Sequence, residues 1–416
     1  MKKDFYIRLC DRVDRLVYLK NSPYKLAVKL LWWIIRSSFT PENYNKKILS
    51  NEKKRGGGNI IKKEKVRFAV LLKGGIGDLA IGGVLVSKLF AYFPKESQID
   101  ICLHSVVLGK KLFNNQNFYK NIVDAETIEY RDYDAVIELD VYFPRIIYLN
   151  PNVEFIDSRV KNYISSLKSF HNTYPTITRT DRVPVQMMLM ELTHKNRITC
   201  LDIDNILNIS AKDLWEIYVD EKISNEIYAK WPQLKKPFIT VGRSVDSTNK
   251  YSDSIRLWSV DSYNEWIDLF KKKFPEVTVV QLGISKERCE SLNCDLNLLG
   301  ETSFEEVLWL LKKSKLHMDG ECGYVHLRHF LTNAEGKSLV LFGPTSIEIK
   351  SYPENINIRC SDSCELRYCE WMSGENWQSY CPKSQSKKAL CIHSISPQDV
   401  FSQTFHELSR LMDAKL

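Results

Sequence analysis

Short apolar runs recur along the chain, each leading into a stretch of helical periodicity. Val66–Leu72 is the first and predicts a buried strand. The turn Lys73-Gly74-Gly75-Ile76-Gly77-Asp78 follows, then a helical stretch from Leu79 to Phe93. Further strands are predicted at Gln98–Leu103 and Ala135–Leu139, and helices over 187–230 leading into a linker. The alternation restarts after Pro237. Phe238–Val241 predicts a strand, and Ser262–Phe274 a helix with Trp266, Leu269 and Phe270 on one face. Val277–Leu282 predicts a strand ending at Gly283, and Ser303–Lys313 a helix with Ser303 as its N-cap. A strand at Leu316–Met318, a helix at Tyr324–Leu331, a strand at Ser338–Phe342 and a terminal helix at Pro397–Met412 complete the pattern. Two successive βα-repeating halves, 66–230 and 231–416, predict an α/β protein of two Rossmann-like domains facing a cleft.

Residues 1–65 differ from both halves. Residues 1–40 read as one or two helices. In Pro23–Phe39, Lys25, Lys29 and Arg36 flank an apolar stretch that holds Trp32 and Trp33. Such a helix suits a membrane interface, and equally suits packing on the body of the protein. A Lys-rich linker with Gly56-Gly57-Gly58 follows. Residues 1–66 hold 17 Lys and Arg against 6 Asp and Glu, a net of +11, while the rest of the chain carries 42 against 45. The charge therefore sits on a basic arm, for which an anionic membrane surface is the expected partner. Nucleic acid is not expected, because the arm lacks aromatic-basic interleaving. No apolar run approaches a membrane span and the first residues do not read as a signal peptide, so the expected location is cytoplasmic, peripheral on the inner face of the cytoplasmic membrane.

Candidate chemistry gathers at strand ends. Gly74, Gly75 and Gly77 permit close approach of a substrate, and Asp78 is either a first-turn helix residue or a catalytic carboxylate. The stretch lacks the Lys and Ser/Thr of a phosphate-binding P-loop. In the second half, Asp319-Gly320-Glu321-Cys322-Gly323-Tyr324-Val325-His326-Leu327 is an acidic, glycine-containing turn that opens a helix. Leu341-Phe342-Gly343-Pro344-Thr345 ends a later strand. Both lie where open α/β sheets bind ligands.

Taken in order, these motifs resemble glycosyltransferase family 9, the ADP-heptose heptosyltransferases of lipopolysaccharide synthesis. Gly75-Ile76-Gly77-Asp78 matches the family's opening turn, and Arg256-Leu257-Trp258 its K-x-W element. Glu321 to Leu327 matches the [DN]-[ST]-G-x-x-H-L signature imperfectly, and Phe342–Thr345 matches its F-G-P-T outright. The resemblance implies a GT-B fold with a helical N-terminal extension. The first domain would bind the acceptor and the second the nucleotide-sugar. Asp78 would be the base of an inverting transfer that needs no catalytic metal. Donor binding falls to Arg256, Glu287, Thr302, Glu321, Cys322, Gly323, His326 and Thr345: Arg256 on the diphosphate, Glu321 on sugar hydroxyls, Glu287 on the ribose. Glu321, Cys322 and Arg256 depart from the family's Asp, Ser/Thr and Lys. Arg328 and His329 stand where small residues are usual.

Five of the 11 cysteines fall within 360–391. In a reducing compartment such a cluster suggests either a tetrathiolate iron or zinc site, here Cys364, Cys369, Cys381 and Cys391 with Cys360 as a substitute, or a set of unligated buried or surface thiols. The region is similar to bacterial autotransporter heptosyltransferases, in which a cysteine loop holds iron. Three functions follow as expectations: transfer of heptose from ADP-heptose to a lipopolysaccharide core or other surface glycan, protein O-heptosylation, or an inactive nucleotide-sugar-binding scaffold.

Overall fold

The computed structural model describes residues 60–413 apart from 141, 175–182, 244–253, 288, 361–380, 382 and 387. Residues 1–59 of the basic arm and linker, and Cys364 and Cys369, lie outside the described residues. The end of the expected linker is strand, not linker, because Ile61–Lys63 pairs with Val153–Phe155.

The first half forms around strands β1 (Ile61–Lys63), β2 (Arg67–Leu72), β3 (Gln98–Leu103), β4 (Ile122–Asp124), β5 (Ala135–Leu139), β6 (Pro144–Leu149) and β7 (Val153–Phe155). Its main sheet has the order β4-β3-β2-β5-β6, with β6 antiparallel to β5 and the other pairs parallel. β1 and β7 make a separate parallel pair. Because β2 lies mid-sheet, all its residues but Arg67 are buried, which explains its unbroken apolar run. Helix α1 (Ile76–Tyr92) lies against it. A Cβ on Gly82 would come 2.7 Å from Leu72, so the glycine lets helix and strand close together.

The second half holds β8 (Phe238–Gly242), β9 (Thr278–Gly283), β10 (Leu296–Leu299), β11 (Leu316–Gly320), β12 (Lys337–Phe342) and β13 (Ile356–Arg359). They form one parallel sheet in the order β10-β9-β8-β11-β12-β13. The helix at Val260–Lys273 buries Tyr263, Trp266, Ile267 and Phe270. Leu269, expected on that face, is only half-buried. The helix at Phe304–Lys313 starts at Ser303 with a full capping box to Glu306.

Between the halves, helices form at Val183–Leu192 and Ile223–Lys230, but residues 199–219 are 3₁₀ turns and irregular chain. The helical expectation fails there for a local reason. The buried Asp202 carboxylate accepts the N–H groups of Leu207 (2.9 Å) and Ile209 (2.8 Å), and Asp204, Asn205 and Asn208 take positive φ. The segment then ties the halves together. Trp215 donates its indole N–H to the Ala80 carbonyl (2.7 Å) and stacks between Phe113 and Phe330. Among the described residues no helix is long and apolar enough to cross a membrane.

Candidate functional site

At the end of β2 the chain turns through Gly74, whose φ of +99° only glycine adopts readily. Gly75 caps α1, and its N–H donates to Asp78 Oδ2 at 2.8 Å. A Cβ on Gly74 would sit 2.5 Å from that same oxygen, so the turn is built around the carboxylate. The helix begins at Ile76, three residues earlier than the periodicity predicts, which puts Asp78 in its first turn.

The matching turn of the second sheet abuts this one. It runs from β11 into a short helix, Gly323–His329. A Cβ on Gly77 would lie 2.6 Å from the His326 ring, and one on Gly323 would lie 2.7 Å from Ile76. Each glycine thus accommodates the other domain. The space at Gly77, expected to admit an acceptor sugar, holds His326.

Glu321 is the hub. It is 5% exposed, yet three cations converge on its carboxylate. Arg256 Nη2 lies 2.6 Å from Oε2, Lys350 Nζ 3.4 Å from the same atom, and Arg197 Nη1 3.4 Å from Oε1. Arg197 also pairs with Asp78, carrying the network into the first domain. Burial works to raise the Glu321 pKa, but Lys350, Arg256 and His326 outweigh it and hold the carboxyl well below its ordinary value of 4.5. His326 sits 3.0 Å from Glu321 through Nε2 and 2.7 Å from the Tyr352 hydroxyl through Nδ1. Burial, aided by Arg197, pushes its pKa down to about 4, so the ring is neutral at pH 7. That same Nε2 also meets Arg197 Nη1 at 3.0 Å, so it lies between a guanidinium donor and a carboxylate acceptor. Three cations therefore face two carboxylates where the two domains meet.

The other expected donor residues distribute around this hub. Cys322 turns inward and donates to Asp319 Oδ2 at 3.1 Å. Thr345 is buried, and the adjacent Ser346 caps the turn Ile347–Lys350 that delivers Lys350. Glu287 is exposed on the loop after β9, and Thr302 is half-buried after β10. An ion pair between Lys286 and Glu301 at 3.0 Å brings those two loops together. The expected diphosphate ligand Arg256 and sugar ligand Glu321 are joined directly to each other.

Arg197, Lys350 and Tyr352 belong to the hub and carry no sequence signal, apart from Lys350 and Tyr352 following the Phe342–Thr345 motif closely. Of the expected thiolates, Cys381 and Cys391 are buried in the second domain's core, together with Cys360. Burial tends to raise the Cys381 pKa. The Ser384 side chain and the N–H groups of Ser384, Leu390 and Lys383 outweigh it and lower the value below 9.0.

No family model and no curated protein matches the sequence. Solved structures match in fold. ADP-heptose lipopolysaccharide heptosyltransferase II of E. coli aligns at a TM-score of 0.50 and 15% identity, covering 83% of this chain and 99% of that one. A family 9 glycosyltransferase from Veillonella parvula DSM 2008 aligns at 0.50 and 11%, covering 85% and 100%. TibC, an iron-containing dodecameric glycosyltransferase of enterotoxigenic E. coli H10407, aligns at 0.53 and 11%, covering 85% and 78%. The chain therefore has the two-domain GT-B fold shared by these heptosyltransferase-like proteins.

Proposed function

We propose that the chain is an inverting glycosyltransferase that moves heptose from ADP-heptose to a lipopolysaccharide core or similar surface glycan. The observation that carries this reading is the convergence of Arg197, Arg256 and Lys350 on Glu321, beside Asp78, where the two sheets' carboxyl ends meet. A diphosphate is the ligand such a cluster suits, since its leaving group must be stabilised as negative charge develops. The neighbours named as heptosyltransferases, one of them in complex with ADP-D-β-D-heptose, support the donor.

In this mechanism the acceptor hydroxyl attacks the anomeric carbon as the bond to the diphosphate oxygen breaks. Its proton passes to Asp78. Arg256 and Lys350 take the diphosphate charge, and Arg197 moves from Asp78 towards the phosphates, freeing the carboxylate. Gly323 opens the phosphate-facing turn, while Glu287, Thr302 and Thr345 line the nucleotide side. Thermal shift with a panel of nucleotide-sugars tests the reading, because ligands stabilise by mass action. ADP-heptose is expected to raise the Tm most and to release ADP slowly. Binding without ADP release favours the scaffold reading, and no shift with any nucleotide-sugar overturns the proposal.

A protein acceptor is the second reading, and rests on the resemblance of the cysteine segment to autotransporter heptosyltransferases. In either case Cys364, Cys369, Cys381 and Cys391 are proposed to hold one structural iron or zinc. The lowered pKa of Cys381 fits a thiolate ligand. Residues 1–40 are proposed to hold the enzyme on anionic membrane. Liposome co-sedimentation that survives deletion of residues 1–55 would remove that part.

A further inference from the structure

The side chains of His317, Asp319 and Cys322 lie together beneath the β11 turn, with ligand atoms within 4.8 Å of one another. All three are buried, and His317 and Asp319 are fully so. Residues 317 and 319 share one face of β11, as alternate strand positions do. The neighbouring strand makes room for them. A Cβ on Gly242 would lie 1.9 Å from Asp319 Oδ2, so only glycine fits there.

The hydrogen-bond chain behind His317 fixes its tautomer. Ser314 has one hydroxyl proton, and it goes to the Leu316 carbonyl. The Thr240 hydroxyl, 3.0 Å from Ser314 Oγ, must therefore be the donor in that pair. Thr240 Oγ1 is thus left to accept from His317 Nδ1, also at 3.0 Å. The proton sits on Nδ1, and Nε2 presents a bare lone pair. That buried Nε2 has no hydrogen-bond partner and lies 3.8 Å from Asp319 Oδ2. Two acceptors face each other across a dry gap, an arrangement that a cation between them would satisfy.

We propose that His317 Nε2, Asp319 Oδ2 and Cys322 Sγ form a binding site for one divalent transition ion, with zinc as the best match. Nitrogen, carboxylate and sulfur together select a borderline-soft metal. Zinc bond lengths put tetrahedral ligand atoms roughly 3.4–3.6 Å apart. Measured from Asp319 Oδ2, the separations of 3.8 Å to the imidazole and 3.1 Å to the sulfur straddle that range, and all three atoms lie within 4.8 Å of one another. The Cys322 S–H, which donates to Asp319, loses its proton to solvent as the sulfur–metal bond forms. Carboxylate, thiolate and a doubly charged ion then sum to neutrality. Thr240 orients the imidazole as an outer partner. A fourth position is left for water. The ion would brace the turn that carries Glu321, without entering sugar transfer.

The test uses the full chain with Cys364→Ser, Cys369→Ser and Cys381→Ser, which leaves the separate cysteine-loop site one of its four proposed thiolates, Cys391, with Cys360 beside it. After chelator treatment and dialysis against zinc, this variant is expected to retain about one ion by mass spectrometry. With cobalt as the probe it is expected to show thiolate-to-cobalt charge-transfer absorption. Adding Cys322→Ala is expected to abolish both signals. A chelated variant that rebinds no zinc and shows no such absorption overturns the proposal, and does so without touching the site. Retention of the ion by the folded Cys322→Ala protein overturns it equally.

Discussion

Arg197 and Asp78, 119 residues apart in the chain, form an ion pair at the mouth of the first glycine turn. The same guanidinium reaches Glu321 of the second domain. One cation thus links the two carboxylates that the sequence motifs single out. It also gives Asp78 two structural tasks, holding Arg197 and accepting the Gly75 N–H.

Those tasks sharpen what Asp78→Asn separates. Asparagine caps a helix start about as well as aspartate. It cannot hold Arg197 as an ion pair, so a stability loss of about 1–2 kcal/mol is expected. If Asp78 is the base, turnover at saturating donor and acceptor falls by roughly 10²–10⁴-fold. Turnover above a tenth of the parent's would leave Asp78 as cap and anchor only.

Arg256 bonds the Glu321 carboxylate and also its backbone carbonyl, so it shapes the turn as well as charging it. Arg256→Ala is expected to weaken ADP-heptose binding by the roughly 1.5–3 kcal/mol of one charge-assisted bond. Isothermal titration calorimetry reads this directly. Unchanged donor affinity would place the diphosphate elsewhere.

Glu321→Gln tests the hub through pH. The folded carboxyl is held well below 4.5, so its stabilisation is fully present above 4.5. It is lost as the pH falls through the depressed value. Replacing the carboxylate leaves Arg197, Arg256 and Lys350 facing one another, at a cost of about 3 kcal/mol or more at pH 7. The stability gap between parent and variant is expected to close between pH 4.5 and lower values in denaturant titrations. A gap independent of pH would mean that Glu321 is not ionised in the fold.

Much of the fold was readable because its central strands are buried on both faces. Gln98–Leu103 and Ala135–Leu139 form at the expected bounds. The edges were not readable: β4 is three half-buried residues, and β10 and β13 are partly exposed, so none shows an apolar run. At the site, Asp78, Arg256, Glu321 and His326 announced themselves by motif, and the structure brings all four together. Arg197 and Lys350 did not, because each reaches the hub from a loop or short turn whose sequence follows no period. Asp319 was singled out as the start of the acidic turn, but His317 was not. One histidine inside the short strand predicted at Leu316–Met318 carries no motif, and in the fold it is fully buried beside Asp319.

Gly83 gives the most direct test of how the halves are joined. It sits on α1 opposite Trp215, and a Cβ there would come 2.4 Å from the indole Cε2 and Nε1. In an exposed helix, Gly→Ala gains up to about 1 kcal/mol from propensity. Here the indole cannot retreat. Its N–H is committed to Ala80, and its faces are stacked on Phe113 and Phe330. Overpacking of this kind costs roughly 1–3 kcal/mol. Gly83→Ala is therefore expected to lower the Tm by roughly 1–3 °C, at about 1 °C per kcal/mol for a chain of 416 residues. Gly82→Ala serves as the control, since it meets the Leu72 methyl groups, which can rotate away. Its loss is expected to be the smaller of the two in scanning calorimetry. A Tm that rises in Gly83→Ala would mean that Trp215 is not wedged between the halves, and the packing that sets Gly77 against His326 would need another anchor.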